Sequence, residues 1–507
     1  MIPAFAYFDT PNATPDRDAG LDLRLLAPLG RWPLRLVVLL ALVPLLSVQW
    51  GAANLGLVAF CCAIQMLPSL FLVGWGEALV RRSQAALRVG NQDALARLHG
   101  TAAVSALAVG AVAGVVGWLL AEPLSLWLVR VPGLARAQAE TLLHLEALQL
   151  ALWPALITWT SLAEARLRES DRAAFRGTAI AIEAMAALSV AMFQWRPHAW
   201  PVAMAAAHAT LILLSLVVLW RERLAGSRPG FAWPEVRDLL GATEWPCAPE
   251  PGMMPVFFAA LILPAAIGRT LDAAVPAAIM TVAAAFSAAG WQLASRLEPV
   301  GLMGDLHADP YRARWRFGRS LDAATLVALG LGLILATYGG QLVQMWLGLP
   351  RTTTLRLLPV TALLVLVAPV AVSAQWLRRA DLRGFVAMVR GAEVGIALPV
   401  AALLWTDYGW SGTLWGVVAV RSLTCGLWLP VRACRHLGLN PLAVFGNQLW
   451  RMGLVALPST VTALAFSTFK PPRTGREWTI QLMIVAILYV IPAFAAWSMM
   501  DTRRDRD

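Results

Sequence analysis

Four ionisable side chains stand in the middle of long apolar runs: Glu183, His208, Glu393 and Arg421. A charge near the centre of a bilayer is costly, so a side chain retained there is by default a candidate for function. Glu183 lies about nine residues into its run and Glu393 about eight into its own. At about 1.5 Å per residue both sit roughly 12–14 Å from where those runs begin. The run after each one carries a base near mid-depth, His208 in the first case and Arg421 in the second. The spacing therefore predicts two pseudo-equivalent pairs, Glu183 with His208 and Glu393 with Arg421, facing a common interior. Two readings stay open for both. Partnered burial can satisfy both charges and simply lock helix packing. Alternatively, Glu183 and His208 exchange a proton, since imidazole titrates near neutrality, while Arg421 holds an anionic group such as a phosphate, which a guanidinium suits.

A second constellation is Glu244-Trp245-Pro246-Cys247-Ala248-Pro249-Glu250-Pro251, with Pro255 just beyond. Proline at this density removes backbone donors and breaks a helix, and broken backbone at membrane depth is tolerated where it lines a water-filled cavity. One reading is a bent span that exposes Glu244 and Glu250 to the transport pathway; the other is a Pro-rich linker before a short helix. Arg312, Arg314, Arg316 and Arg319 are orientation signals that could also attract anionic headgroups or a diphosphate. His144 and Glu146, near an outer span end, are expected to touch water. Gly330 and Gly332 are expected to serve helix packing. Cys61, Cys62, Cys247, Cys425 and Cys434 are scattered without metal-ligand spacing, so neither a metal site nor a disulfide framework is expected. No Walker loop, His-Glu-x-x-His or nucleophile elbow is present, and no cofactor or enzymatic activity is expected.

The elements that must position these residues follow from composition. Of the 507 residues, 59% are hydrophobic and only 14% charged, against roughly 25% charged in a soluble chain. Too few charges remain to cover a water-exposed surface, so lipid must replace water. The apolar runs are about 20 residues long, the length of a membrane-spanning helix rather than of a barrel strand. The fold class is therefore an all-α integral membrane protein. About fourteen spans are predicted, near 34–50, 54–76, 101–121, 141–163, 174–193, 200–220, 241–268, 273–294, 322–345, 357–377, 385–405, 411–430, 451–468 and 478–498. With the N-terminus in the cytoplasm, 31 of the 41 Lys and Arg residues fall inside, 9 outside, and Arg421 within a span. That asymmetry places both termini in the cytoplasm, and it explains the net charge of +11 without nucleic acid.

The first six spans and the next six read as copies. Leu167-Arg168-x-x-Asp171-x-x-x-Phe175 recurs 210 residues later as Leu377-Arg378-x-x-Asp381-x-x-x-Phe385, and the same offset carries Glu183 onto Glu393. Gly100–Pro132 overlays Gly318–Pro350 without a gap, and Gly74-Trp75 pairs with Gly290-Trp291. Six is even, so the copies share one orientation, as in transporters built from parallel repeats. The expected organisation is a tail (1–33), a six-helix bundle (34–220), a linker (221–240), a second bundle (241–430), a linker (431–450), two extra helices (451–498) and a second tail (499–507).

Several landmarks resemble bacterial oligosaccharide flippases, the Wzx-like polysaccharide-transporter branch of the superfamily that also holds multidrug and toxin extrusion transporters. These are Gly74-Trp75-Gly76-Glu77-Ala78-Leu79-Val80-Arg81-Arg82 after Gly56-Leu57, the loop Gly90-Asn91-Gln92-Asp93, and Gln344-Met345-Trp346-Leu347-Gly348. The resemblance implies a V-shaped pair of six-helix bundles around a cavity that opens alternately to either side of the bacterial inner membrane. The cargo would be a polyprenyl-diphosphate-linked glycan, with glycosyltransferases or a glycan polymerase as partners besides membrane lipids. Such flippases often carry a cationic cavity, whereas Arg421 is the one basic residue the sequence places in mid-span. A proton- or sodium-coupled multidrug exporter is thus an alternative, and a non-transporting scaffold of a glycan synthesis complex another.

Overall fold

The computed structural model describes residues 31–128, 136–221, 230–242, 310–347, 358–380, 382–469 and 475–502. Among these residues there is no strand, and nine helices are long and apolar enough to cross a bilayer. The seventh and eighth spans expected from sequence, with Glu244 and Glu250, lie outside the described residues. The chain divides into two units, Met1–Thr281 and Val282–Asp507.

The first unit holds α1 (Arg31–Val89), α2 (Gln92–Leu128), α3 (Arg136–Arg166), α4 (Glu169–Met192), α5 (Ala199–Arg221) and α6 (Trp233–Ala242). The helix α1 comprises two helices joined at Gly51, whose φ of 74° is a conformation that L side chains rarely adopt. This break falls between the first two expected spans. The centre of the unit is α3, which packs against α1, α2 and α5. Small residues let α2 approach it closely: a Cβ on Gly114 would lie 2.8 Å from Ala151 Cβ, one on Gly117 3.2 Å from Ala147 Cβ, and one on Gly110 would strike the Ala151 carbonyl. In lipid, where there is little hydrophobic drive between helices, such close packing is a main source of association. The other faces of α2 leave Val104, Leu107, Val112, Val115 and Leu119 exposed, as a lipid-facing helix requires.

At the arginine-rich end of this unit, Trp75, Ala78, Leu79, Leu98, Ala102, Leu162 and Leu239 form one buried cluster. Leu239 belongs to α6, a short amphipathic helix within the segment read from sequence as a linker. Arg82 holds α6 through Glu235 at 3.1 Å and Asp238 at 3.3 Å, while the Ala232 amide donates to Thr101 Oγ1 at 3.0 Å.

The second unit holds α7 (Pro310–Leu347), α8 (Leu358–Arg379), α9 (Arg383–Leu423), α10 (Cys425–His436), α11 (Pro441–Phe469) and α12 (Gly475–Thr502). Two spans are merged in α9, which turns at Gly409 (φ 61°), between the eleventh and twelfth expected spans. The twelfth span runs on through α10 to His436, six residues beyond the boundary drawn from hydropathy, because Arg432 and Arg435 continue the helix past the apolar run. The repeated Leu-Arg motif marks the same place in each unit, the turn from α3 to α4 and the turn from α8 to α9.

The last two helices dock on α7. Gln448 Nε2 donates to Thr325 Oγ1 at 2.7 Å, Arg451 lies 3.7 Å from Asp322, and the Tyr489 hydroxyl donates to the Leu326 carbonyl. Gly330 makes room for the Tyr489 ring, and Gly332 lies against Thr361 and Val365. Both glycines therefore serve packing.

Candidate functional site

Among the described residues, each unit buries one of the acid–base pairs expected from the sequence. In the first, Ala179, Ile180, Ala184 and Ala187 bury one side of α4, and Glu183 stands among them with no exposed surface. His208 of α5 is equally buried, and its Nε2 lies 4.0 Å from Glu183 Oε1. Trp153 of α3 meets the imidazole edge-on, ring centroids 5.1 Å apart. Neither ring nitrogen of His208 has a hydrogen-bond partner among the described residues. The contact is thus an electrostatic approach of two titratable groups rather than a formed hydrogen bond.

The second unit makes a tighter arrangement. Arg421 Nη1 donates to Glu393 Oε1 at 3.0 Å, and Cys425 Sγ donates to Glu393 Oε2 at 2.8 Å. Arg421 is 1% exposed and Glu393 4%. The helix is interrupted between these two donors: Thr424 (φ −93°, ψ −93°) separates α9 from α10. A Cβ on Gly426 would lie 3.1 Å from the Arg421 carbonyl, so the smallest residue sits where the two helices turn closest. The break swings Cys425 toward the carboxylate that Arg421 already holds. A carboxylate with a guanidinium on one oxygen and a thiol on the other is fully engaged.

The structure adds one buried charge to the sequence reading and changes another. Arg390, which falls within the eleventh expected span and was not singled out there, is 6% exposed, one helical turn before Glu393 on α9. Arg421 is therefore not alone: among the described buried groups of this centre, two guanidinia accompany one carboxylate. The signal was present in the three-residue spacing to Glu393, but proximity to Arg383 masked it. Glu146, expected to touch water, is 2% exposed. It lies on the buried face of α3, and hydropathy near a span end does not reveal which face turns inward.

Of the four arginines at the start of α7, Arg314 donates through Nε to the Leu437 carbonyl at 2.7 Å and Arg319 lies over the Trp315 ring at 5.2 Å. Arg316 is half-buried, and the side chain of Arg312 lies outside the described atoms. A further buried ion pair, Glu164 with Arg176 at 2.6 Å, joins α3 to α4 beside their turn, where Arg172 Nε also donates to the Glu164 carbonyl at 3.0 Å. Among the described residues, no group of three or more His, Cys, Asp or Glu side chains is placed to hold a metal ion.

No protein-family model matches the sequence. No curated protein matches it either. Solved structures do. The chain is similar to the lipid II flippase MurJ in its inward closed conformation, with a TM-score of 0.64 at 11% identity, covering 94% of this chain and 100% of that one. It is also similar to a multidrug resistance MATE family transporter of the MOP superfamily. The inward-facing form gives a TM-score of 0.58 at 10% identity over 88% of this chain and 99% of the other. The outward-facing form gives 0.53 at 9% identity over the same shares. The chain is a multi-pass membrane protein with the fold of the MOP-superfamily transporters.

Proposed function

We propose that this protein flips a polyprenyl-diphosphate-linked oligosaccharide from the cytoplasmic to the periplasmic leaflet of the bacterial inner membrane, as a Wzx-like member of that superfamily. The observation that carries the reading is the fold: it matches a lipid II flippase over 94% of the chain, and the sequence landmarks at Gly74–Arg82 and Gln344–Gly348 point independently to the polysaccharide branch. The cargo is an anionic diphosphate on a lipid. A buried centre with Arg390 and Arg421 against Glu393 is suited to attract it, and the arginines opening α7 would gather it from the headgroup layer. In this reading both termini are cytoplasmic. Glu183 and His208 belong to the driving ion's path. The sequence shows no Walker loop, so an ion gradient, the membrane potential or a substrate gradient would drive the step.

A second reading is a proton- or sodium-coupled multidrug exporter. It is favoured by the first unit, where the buried acids Glu146 and Glu183 would welcome a cationic cargo.

Proteoliposomes distinguish the two. Purified protein is reconstituted with a short-chain polyprenyl-diphosphate disaccharide carrying an oxidisable terminal sugar, and leaflet exposure is read by periodate. Protein-dependent exchange supports the flippase. Exchange equal to that of empty liposomes, together with pH-gradient-driven uptake of a cationic dye, would replace it with the exporter.

A further inference from the structure

Over the first half of α7 the two appended helices are tied to it by direct bonds, Gln448 to Thr325 at 2.7 Å and the Tyr489 hydroxyl to the Leu326 carbonyl. Tyr338 stands further along α7, about 18 Å beyond Leu326 on the helix axis. Its ring meets that of Trp478 of α12 edge-on, with centroids 6.3 Å apart. Three buried polar atoms on these two helices have no hydrogen-bond partner among the described residues: Tyr338 Oη, Gln341 Oε1 and Trp478 Nε1. Tyr338 is 1% exposed. The buried cluster it belongs to is formed with Ala463 and Val485 and flanked by Phe466.

The two helices bring these atoms to one seam. Residues three apart are neighbours on a helix surface, so Gln341 stands one turn from Tyr338 on α7, and Gln481, 5% exposed, one turn from Trp478 on α12. The two pairs come together where the rings meet. Their free valences differ in kind: an indole N–H only donates, an amide oxygen only accepts, and a phenol does both. A cation would face the indole donor, an anion would face the amide oxygen, and an apolar group would satisfy none of the three. Water accepts from the indole, donates to the amide oxygen and exchanges either kind of bond with the phenol. That is about the three bonds a buried water makes. The enclosure of Tyr338 admits only a group of that size.

We infer that the seam between α7 and α12 holds a buried water, bound by Tyr338, Gln341 and Trp478, and that this water ties the first turns of α12 to α7. The appended pair is then docked in two ways, by direct bonds over the first half of α7 and through water beyond it. All of these helices belong to the second unit, and the inference needs neither a cargo nor a direction of transport.

X-ray radiolysis makes hydroxyl radicals from bound water as well as bulk water, and so marks buried side chains that touch a water. It is applied to the purified full-length protein in lipid nanodiscs and read by peptide mass spectrometry. Tyr489 is the internal control, a buried tyrosine whose hydroxyl already donates to a carbonyl. Tyr338 is expected to be hydroxylated several-fold faster than Tyr489, although it is the less exposed of the two. Equal or slower labelling of Tyr338 overturns the inference. Y338F supplies an independent sign. In a dry seam the phenol is an unpartnered buried group, and its removal raises the melting temperature. In a wet seam the water loses a partner, and the melting temperature falls. A fall is expected; a rise or no change overturns the water's part in holding α12. If Y338F does not fold, the labelling of the wild type decides alone.

Discussion

Replacing Glu393 by Gln removes one charge from a centre where the other cannot reach water. Arg421 is 1% exposed and donates to Glu393 at 3.0 Å. In E393Q its guanidinium keeps its charge and loses its counter-ion. Breaking a buried pair in this way costs about 3–5 kcal/mol, because an uncompensated charge remains. R421M is expected to cost a similar amount for the mirror reason, Glu393 keeping the Cys425 thiol on one oxygen and losing the guanidinium on the other. The double variant E393Q/R421M removes both charges of the pair and leaves Arg390 as the one guanidinium of the centre, and swapping a buried pair for groups of similar volume is often close to neutral. It should therefore lie nearer the wild type than either single variant, a coupling of several kcal/mol, about ten times the error of additivity between independent sites. The control is E122Q. Glu122 contacts Arg136 at 3.2 Å, but the two side chains are 64% and 47% exposed, and an exposed pair is worth about 1 kcal/mol or less. Equilibrium unfolding by SDS titration in mixed micelles, followed by near-ultraviolet circular dichroism, measures all four. Additive single-variant effects, or an E393Q cost no greater than that of E122Q, would refute the claim that burial makes this pair interdependent. Glycolipid exchange by the stable double variant then separates roles: full activity makes the pair a packing lock, and lost activity places it on the pathway.

G110A and G177A are expected to have opposite signs. The first drives a methyl into the Ala151 carbonyl, whereas the second meets nothing within 4 Å. Overpacking should cost about 1–3 kcal/mol, while an open helical position should gain up to about 1 kcal/mol; melting temperatures of the two variants check this. R82A removes both contacts that Arg82 makes to α6 and is expected to speed tryptic cleavage after Arg237 with little change in melting temperature. The proposed orientation predicts that an impermeant maleimide on intact spheroplasts labels A137C and leaves N91C unlabelled; the opposite pattern would invert the topology.

Much of the architecture was legible in the sequence because lipid is a simple solvent. A backbone that cannot bond to water must form helices, so run length alone marked where α2, α3, α4 and α5 lie, and Gly51 and Gly90 supplied the turns between neighbouring spans. Glu183 and His208 could be paired from their positions in the chain, since an acid and a base at like depth on consecutive helices have few other ways to be satisfied. Hydropathy reports how apolar a segment is but not which way each side chain turns. It therefore placed Glu146 in water and gave no sign that Arg390 turns inward, although both are buried. The interruption at Thr424 was likewise silent, because nothing in Leu423-Thr424-Cys425 forbids a helix and only the packing of Cys425 against Glu393 bends it.

The sequence by itself determined that this chain crosses a membrane many times, and it singled out two acids, 210 residues apart, as related. Only the tertiary structure decided that the two differ in chemistry. One meets an imidazole at 4.0 Å and the other a guanidinium at 3.0 Å and a thiol at 2.8 Å. The physical reason is that the worth of a buried charge is set by the distance and kind of its nearest partners. Those partners come from other helices, and their positions are fixed only when the helices pack.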